Sequence, residues 1–267
     1  WENTGPGTVE TPVSGYSTAI HPLASPLKDA TPWVRWLNRD ELARLADATI
    51  GARVPHTAVR VLSKALESGP VLLSIPQDST SEALSCAKCH RQARCAKCSG
   101  PLQLPADRSE SAPRCQWCGA AAIHWTCPGC GHERMRVVRV GAAGTAAELA
   151  GLFRGVPMVL SSKAQGLVRD VPCKPMIVIA TPGFEPRVRP VSNERGAAGH
   201  EYRAVAILDA WTSLYALGVD ARLDTLTAWM RAVSLCAPRS RGGQALILGE
   251  TDPAIAQSLM MWDSRIL

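Results

Sequence analysis

The sequence predicts an α/β fold with a mostly parallel sheet, interrupted by a metal-binding insertion. Two observations predict it. Short apolar segments of strand length alternate with helical patterns in the second half of the chain, as in doubly wound sheets. Eight cysteines in four CxxC pairs follow the first apolar segment, in a stretch without helical periodicity. Such a stretch has almost no apolar core of its own, so metal is expected to hold it together.

The predicted strands share short apolar runs bounded by turn residues. They are 71–75, 135–140, 158–160, 176–180, 204–208 and 245–248. The predicted helices show apolar residues three and four apart, or a start signal such as Asn38 with Glu41, or Asp252 with Pro253. They are 39–46, 57–67, 145–153, 223–233 and 255–261. Residues 1–30, rich in Gly, Pro, Ser and Thr, predict linker or loop.

The order of these segments predicts the domain organisation. The strand at 71–75 precedes the cysteines and the strand at 135–140 follows them, so a single α/β domain with an insertion is the simplest account. We therefore assign 69–85 and 135–267 to the α/β domain and 86–134 to the insertion. Residues 1–68 are assigned to a linker and the tail of a preceding unit.

Composition indicates in which compartment the protein works and which partners it can have. The chain has 267 residues, 46% of them hydrophobic, and begins at Trp1 rather than Met, so we expect it to be part of a longer protein. It has no run of about 18 apolar residues and no signal-peptide pattern, so no membrane role is expected. A cytoplasmic address is therefore the default, and thiols stay reduced there. The formal net charge is +6, which two Cys₄-bound Zn²⁺ ions would lower to about +2.

The cysteine pairs have the spacing of zinc knuckles, in which two thiolates reach one ion at about 2.3 Å. The pairs are Cys86/Cys89, Cys95/Cys98, Cys115/Cys118 and Cys127/Cys130. In a nested arrangement the two inner pairs bind one Zn²⁺ and the two outer pairs bind another; in a sequential arrangement the first two pairs share an ion. We favour the nested arrangement, because the 16 residues between Cys98 and Cys115 are typical of a zinc ribbon. Disulfides and an iron–sulfur cluster are weaker alternatives. No ligand position is left open, so both ions are expected to be structural.

Basic residues surround the cysteines and suggest a nucleic-acid surface. The candidate contacts are Lys88, Arg91, Arg94, Lys97, Arg114 and Trp117. Cations of this kind contact phosphates and an aromatic ring stacks on bases. Contact with a protein partner and compensation of the negative Cys₄ sites are the two alternatives. The phosphate-binding motif GxxxxGK[ST] and a Ser/His/Asp or Cys/His catalytic group are absent from the sequence, so no catalytic residue is assigned.

The cysteine block and its flanks resemble a known family. The stretches that carry the resemblance read GPVLLSIPQDSTSEALSCAKC, RCAKCSGPLQL, RCQWCGAAAIHWTCPGCG and ELAGLFRGVP. They are similar to primosomal protein N′ (PriA), a family of bacterial replication-restart helicases. The resemblance implies that all eight cysteines bind zinc in the nested manner, within the second RecA-like helicase lobe. It also implies a C-terminal portion of the family protein, with 1–68 ending a preceding helicase-like lobe.

The chain departs from the family where the motor motifs lie. The arginine- and glycine-rich ATP-sensing segment of the family is replaced at 234–241, where only Arg239 and Arg241 are similar. Asp209 matches the acidic residue at the end of a strand of the family, but Trp211 stands where the family has a second acidic residue. A high-GC bacterial branch of the family shares this loss.

The resemblance therefore implies a replication-restart component without ATPase or helicase activity of its own. It would bind forked or single-stranded DNA, single-strand-binding protein and other primosome proteins, in the nucleoid region of the cytoplasm. One alternative is an active 3′–5′ ATP-dependent DNA helicase whose motor motifs lie upstream of this chain. Another is a zinc-ribbon module that binds only proteins.

Overall fold

A computed structural model describes residues 9–13, 16–20, 24–76, 81–89, 91–105, 112–140, 142–190, 200–215 and 219–267. Its strands are β1 (Val9–Val13), β2 (Tyr16–Ile20), β3 (Trp33–Leu37), β4 (Val71–Ser74), β5 (Ser81–Cys86), β6 (Leu102–Gln103), β7 (Arg114–Cys115), β8 (Met135–Val140), β9 (Met158–Ser161), β10 (Asp170–Pro172), β11 (Ile177–Ala180), β12 (Arg187–Arg189), β13 (Ala204–Ile207) and β14 (Gln244–Leu248). Its α-helices are α1 (Ala24–Ala30), α2 (Arg39–Arg44), α3 (His56–Leu66), α4 (Ala142–Leu152), α5 (Ala221–Ser234) and α6 (Pro253–Met261). Short 3₁₀ helices span Ala210–Tyr215, Arg239–Arg241 and Ser264–Ile266.

Six parallel strands form the central sheet in the order β3-β14-β13-β4-β11-β9. β4 lies inside the sheet, where Val71 pairs with Ile177 on one side and with Ala204 on the other. All four residues of β4, β11 and β13 are buried, as expected of strands covered on both faces. The predicted α/β class with a mostly parallel sheet is therefore confirmed.

Helices cover both faces of this sheet. Alternate strand residues such as Leu72 and Val205 face α5 and α6, where Leu226 and Leu259 are almost fully buried. The intervening residues, Leu73 among them, face α2, α3 and α4. Because successive strand side chains point to opposite faces, one short apolar run supplies both cores.

The helix start signals lie where the sequence places them. The Asn38 side chain accepts a hydrogen bond of 2.8 Å from the N–H of Glu41, and α2 begins at Arg39, directly after Asn38. Asp252 accepts one of 2.8 Å from the N–H of Ala254, and α6 begins with Pro253. These side chains satisfy N–H groups that have no partner inside the helix.

One predicted strand exists outside the central sheet. β8 pairs antiparallel with β5 from Ser81 opposite Val140 to Cys86 opposite Met135. These two strands therefore form a ribbon through which the chain enters and leaves the cysteine region. The predictions at 158–160, 176–180, 204–208 and 245–248 correspond to β9, β11, β13 and β14 of the sheet itself.

The first 68 residues differ from the expected linker and preceding tail. β3 (WVRWL) pairs parallel with β14 and forms one edge of the sheet, while α2 and α3 pack on its face. Residues 33–66 thus share the core of the α/β domain. Arg35 interrupts the apolar run, which an edge strand tolerates because only part of it is buried. Within 1–30, expected to be loop, the structure has the β1–β2 hairpin and α1.

Candidate metal centres

Two clusters of four cysteines lie in the insertion. One holds Cys86, Cys89, Cys127 and Cys130, and the other holds Cys95, Cys98, Cys115 and Cys118. In each cluster the Sγ atoms all lie within 4.8 Å of one another. The structure thus brings the pairs together in the nested arrangement that the spacing favours.

The distances between sulfurs fit a tetrahedral ion better than the alternatives. The recorded Sγ–Sγ distances are 3.6 and 3.4 Å in the outer cluster and 3.7 and 3.4 Å in the inner one. A tetrahedron with metal–sulfur bonds of about 2.3 Å has edges of about 3.8 Å. A disulfide needs about 2.05 Å, and the several metal ions of an iron–sulfur cluster would hold its thiolates farther apart. All eight thiols are free, so both donor sets fit one soft divalent ion each.

The local backbone aims both thiols of a knuckle at one point. N–H groups of Lys97 and Trp117 point at the sulfurs two residues earlier, both at 3.4 Å. Where the structure describes the residue after the second cysteine, it is left-handed, with φ of 59° at Ser99, 70° at Gly119 and 69° at Gly131. This conformation turns the chain back after the second cysteine, and glycine adopts it without strain.

Backbone N–H groups favour the thiolate over the thiol at the first cysteine of two knuckles, Cys86 and Cys95. At Cys86, burial opposes ionisation, but the N–H groups of Cys89 and Lys88 outweigh it and lower the pKa of the thiol to about 6. At Cys95, the N–H groups of its knuckle lower the pKa to about 7. Because a metal ion binds the thiolate, Cys86 and Cys95 are suited to bind one. Burial raises the pKa of Cys89 to about 12, and the neighbouring cysteines raise that of Cys98 to about 12, so these two thiols are expected to lose their protons only when metal binds.

Replacing Gly119 with Ala is expected to destabilise the metal-loaded chain by about 1 kcal/mol, because an alanine is strained in a left-handed conformation. A Cβ at Gly119 would meet nothing within 4 Å, so backbone strain is isolated from steric clash. Chemical denaturation measures the change. Gly151→Ala is the matched control: it adds the same methyl group in open space inside α4, where alanine favours the helix. Equal shifts of the two variants in the same direction would contradict the strain argument.

A small core joins the two clusters. Leu84, Ala93, Leu102 and Trp125 are buried among cysteines of both clusters. The indole Nε1 of Trp125 donates a hydrogen bond of 2.9 Å to the carbonyl oxygen of Arg94. Trp125 is therefore a structural residue of the insertion.

Two of the six candidate nucleic-acid residues line a cleft of the structure. Arg91 and Arg94 line a cleft of about 580 Å³ between the insertion and the α/β domain, and the other four are not among the residues that line it. Lys88 and Lys97 are exposed. Arg114 donates a hydrogen bond of 3.3 Å to the carbonyl oxygen of Gly119, and Trp117, with 48% of its surface exposed, lies against Gly100.

Sequence reasoning missed the α/β side of this cleft. Arg39 and Arg53 line it together with Trp211, and no motif connects them because they come from separate segments: the start of α2, the loop before α3 and the 3₁₀ helix after β13. The only available signal was position: Arg39 and Trp211 both lie shortly after an apolar strand, and ligands bind where parallel strands end.

A buried ion pair ties three segments together at the same place. The guanidinium group of Arg53 contacts both carboxylate oxygens of Asp209, at 2.8 and 2.5 Å, and reaches Thr145 and Glu148 of α4. Both side chains of the pair are almost fully buried, with 7% and 1% of their surfaces exposed. Burial opposes the charge of Arg53, but Asp209 outweighs it and raises the pKa of the guanidinium further. The pair thus joins the loop before α3 to the end of β13 and to α4.

Two cysteines lie outside the clusters, as expected of ordinary thiols. Cys173 is half-buried and Cys236 is buried. Burial raises the pKa of the Cys236 thiol to about 12, so it is protonated and unreactive at neutral pH.

Among the described residues, no helix is both long and apolar enough to cross a membrane.

The fold and the clusters together define a class: a parallel α/β domain that carries an inserted module with two four-cysteine sites able to hold metal ions. Comparison with known proteins specifies it further. The chain is 36% identical over 252 residues to the "probable replication restart protein PriA" of Mycobacterium leprae. Proteins of the same name from Mycobacterium bovis and Mycobacterium tuberculosis are 38% identical over 226 residues. No family model matches the chain.

The chain is therefore a homologue of the PriA replication restart proteins over the part that aligns. The match covers 94% of this chain but 37% of the M. leprae protein, and 84% of this chain but 32% of the other two. The chain thus spans about a third of the length of these relatives.

Proposed function

We propose that the chain is part of a replication-restart primosome protein and that its role is to bind DNA and primosome partners at stalled forks. The observation that carries the proposal is its similarity to three replication restart proteins over 84% or more of the chain. The two four-cysteine clusters, which could each hold a metal ion, support a metal-stabilised module within the part that we propose faces DNA. On this proposal the protein works in the cytoplasm, at the nucleoid.

The ions in the two clusters are proposed to be Zn²⁺. Four thiolates in a tetrahedron are the donor set that structural zinc prefers, and each cluster supplies all four ligands. Zinc would stabilise the fold of 86–134 and would leave no position for a substrate. Every chemical step of the protein would then depend on other residues.

The α/β domain is proposed to be the second RecA-like lobe of the family, without ATPase activity of its own. Two arginines similar to the ATP-sensing arginines of that family are engaged locally. Arg241 pairs with Glu201 at 3.0 Å, and the guanidinium carbon of Arg239 lies 5.6 Å from the centre of the Trp33 ring. The chain would then act by binding nucleic acid and partner proteins, single-strand-binding protein among them.

Binding to labelled fork DNA tests the proposal. We expect the metal-loaded chain to bind at low salt, with the logarithm of the association constant falling linearly with the logarithm of the salt concentration, because phosphate contacts release counterions. Fluorescence anisotropy at several salt concentrations measures this slope. Absence of binding to forked and to single-stranded DNA at low salt would contradict the DNA-binding role and favour a module that binds only proteins.

A separate assay decides the question of the motor. Hydrolysis of ATP by the full-length protein, stimulated by fork DNA, would favour the alternative in which an upstream segment drives a 3′–5′ helicase. These 267 residues by themselves are expected to show no stimulated hydrolysis, because GxxxxGK[ST] is absent from them and the arginine segment is altered.

A further inference from the structure

A second two-stranded ribbon lies outside the central sheet, in the α/β domain. Its strands β10 and β12 pair parallel, with Asp170 opposite Arg187 and Pro172 opposite Arg189. The cleft beside the cysteine insertion takes none of its lining residues from either strand. We call the segments 169–174 and 187–189 together the basic ribbon.

The inner face of the basic ribbon is fixed to the core of the α/β domain. Val171 and Val188 lie opposite each other and are buried in the core on the α5 and α6 side of the sheet. The buried hydroxyl group of Ser161 connects the segments that lead into both strands. It donates a hydrogen bond of 2.6 Å to the carbonyl oxygen of Phe184 and accepts one of 3.0 Å from the N–H of Val168. The outer face is therefore held in a defined position by packed residues beneath it.

The outer face carries cations. Arg187 and Arg189 are two residues apart on one strand, so their side chains leave the same face about 6.6 Å apart. Arg169 directly precedes β10 and Lys174 follows it, and all four cationic residues are exposed. Asp170 is the one carboxylate in the sequence of these two segments. Four cations thus stand against a single anion.

Asp170 compensates one of these charges. Its carboxylate contacts Arg189 at 2.8 Å, whereas neither Arg187 nor Arg169 forms an ion pair with a described residue. The hydrogen bond from Arg189, together with the charges of Arg189, Arg187 and Arg169, lowers the pKa of Asp170. An excess of positive charge therefore remains on a surface that faces solvent, and such a field attracts polyanions.

We propose that the basic ribbon contacts the sugar–phosphate backbone of duplex DNA, at a surface separate from the cysteine module. Guanidinium groups match the oxygen geometry of a phosphate, and the alternation along β12 presents Arg187 and Arg189 side by side to one strand of the duplex. The proposal deepens the DNA-binding role proposed above, on which it rests, and assigns part of that role to the α/β domain.

The composition of the ribbon favours a duplex over a single strand. The segments RDVPCK and RVR contain no aromatic residue, so they offer no ring on which an unpaired base could stack. Proteins that bind single strands combine cations with such rings. A duplex keeps its bases inside and presents phosphates outside, where contacts position a protein without reading the sequence. A surface of cations alone fits the duplex arm of a fork.

Charge-changing variants of the metal-loaded chain test the surface, with a fluorescein-labelled blunt-ended DNA duplex as the probe. Arg187→Gln and Arg169→Gln are each expected to weaken binding about fivefold near physiological salt and to flatten the salt slope by about 0.9. Asp170→Asn is expected to strengthen binding about threefold, because it removes a negative charge and releases Arg189 for a phosphate. Effects of opposite sign from one ribbon are the signature of a direct phosphate contact.

Matched controls remove the same charges elsewhere. Arg60 and Glu67 are exposed residues of α3 and of its C-terminal cap, and α3 packs on the opposite face of the sheet. Arg60→Gln and Glu67→Gln should leave affinity and slope almost unchanged, which separates the ribbon from an effect of net charge. Metal content and thermal unfolding verify that each variant is folded.

The outcomes distinguish the ribbon from the DNA-binding role itself. Duplex affinity that is equal in the wild type, the ribbon variants and the controls would overturn the ribbon site and keep the role. A chain that binds a single-stranded thymidine oligonucleotide but no duplex would overturn the assignment to duplex DNA. Absence of binding to duplex, forked and single-stranded DNA would contradict the role and the site together.

Discussion

Replacing Cys86 and Cys127 together with serine is expected to leave one bound metal ion per chain, whereas replacing Cys86 and Cys95 together is expected to leave none. In the structure the first two cysteines belong to one cluster and Cys95 to the other. Serine does not replace a thiolate in a tetrahedral zinc site. Elemental analysis of the purified variants gives the number of ions per chain.

The same pair of variants separates the two arrangements that the sequence allows. Sequential pairing would exchange the results, because Cys86 and Cys95 would then share an ion while Cys127 held the other. Cys173→Ser is the control: this half-buried thiol lies outside both clusters and its loss should leave two ions bound. A purified wild-type chain with fewer than two ions would contradict the metal assignment itself.

Loss of metal is expected to have a large effect on the fold of the insertion. Binding of structural zinc to small modules is worth about 10–16 kcal/mol, and little else stabilises this one. Its core beyond the cysteines is mainly Leu84, Ala93, Leu102 and Trp125. Chelation should therefore expose Trp125 to water, which intrinsic fluorescence detects, while the helices that pack on the central sheet keep their circular dichroism signal.

Arg53→Met is expected to destabilise the α/β domain by about 3–5 kcal/mol, because it leaves the carboxylate of Asp209 buried without a counter-charge. The side chain of Asp209 has 1% of its surface exposed, so water does not replace the lost partner. Urea denaturation measures the free energy of unfolding. The double variant with Asp209→Asn should recover much of the loss, since a neutral amide costs less to bury than an unpaired charge.

An exposed ion pair provides the control for this prediction. Arg189 contacts Asp170 at 2.8 Å, but its side chain has 71% of its surface exposed and water screens the pair. Arg189→Met should therefore change stability much less than Arg53→Met. Equal effects of the two substitutions would show that burial does not determine the strength of the Arg53 interaction.

The sheet was predictable where its strands are apolar throughout. The strands β4 (VLLS), β11 (IVIA) and β13 (AVAI) are buried on both faces. A short run that is apolar throughout is typical of an interior strand of a parallel sheet. The cysteine clusters were predictable for a different reason: knuckle spacing restricts which sulfurs can share an ion. The edge strand β3 was missed because Arg35 breaks its apolar run, and an edge needs only partial burial.

Contacts between distant segments were beyond the reach of sequence patterns. Arg53 and Asp209 are 156 residues apart, and Arg39 is 50 residues from Cys89, to whose carbonyl oxygen its guanidinium group donates a hydrogen bond. Their proximity follows from the order of strands in the sheet, which sends the ends of β3, β13 and β14 to one edge. Propensity and periodicity describe neighbours along the chain, so they identify strands without giving that order.

The antiparallel ribbon of β5 and β8 has a consequence for how such a protein arises. Because Ser81 lies opposite Val140, the chain leaves the α/β domain and returns to it at neighbouring points, about 5 Å apart as in any antiparallel pair. Sixty residues can therefore be gained or lost there with almost no change in the distance that the flanking segments must bridge. The cysteine module can therefore be exchanged, lengthened or deleted during evolution while the central sheet keeps its own order of strands.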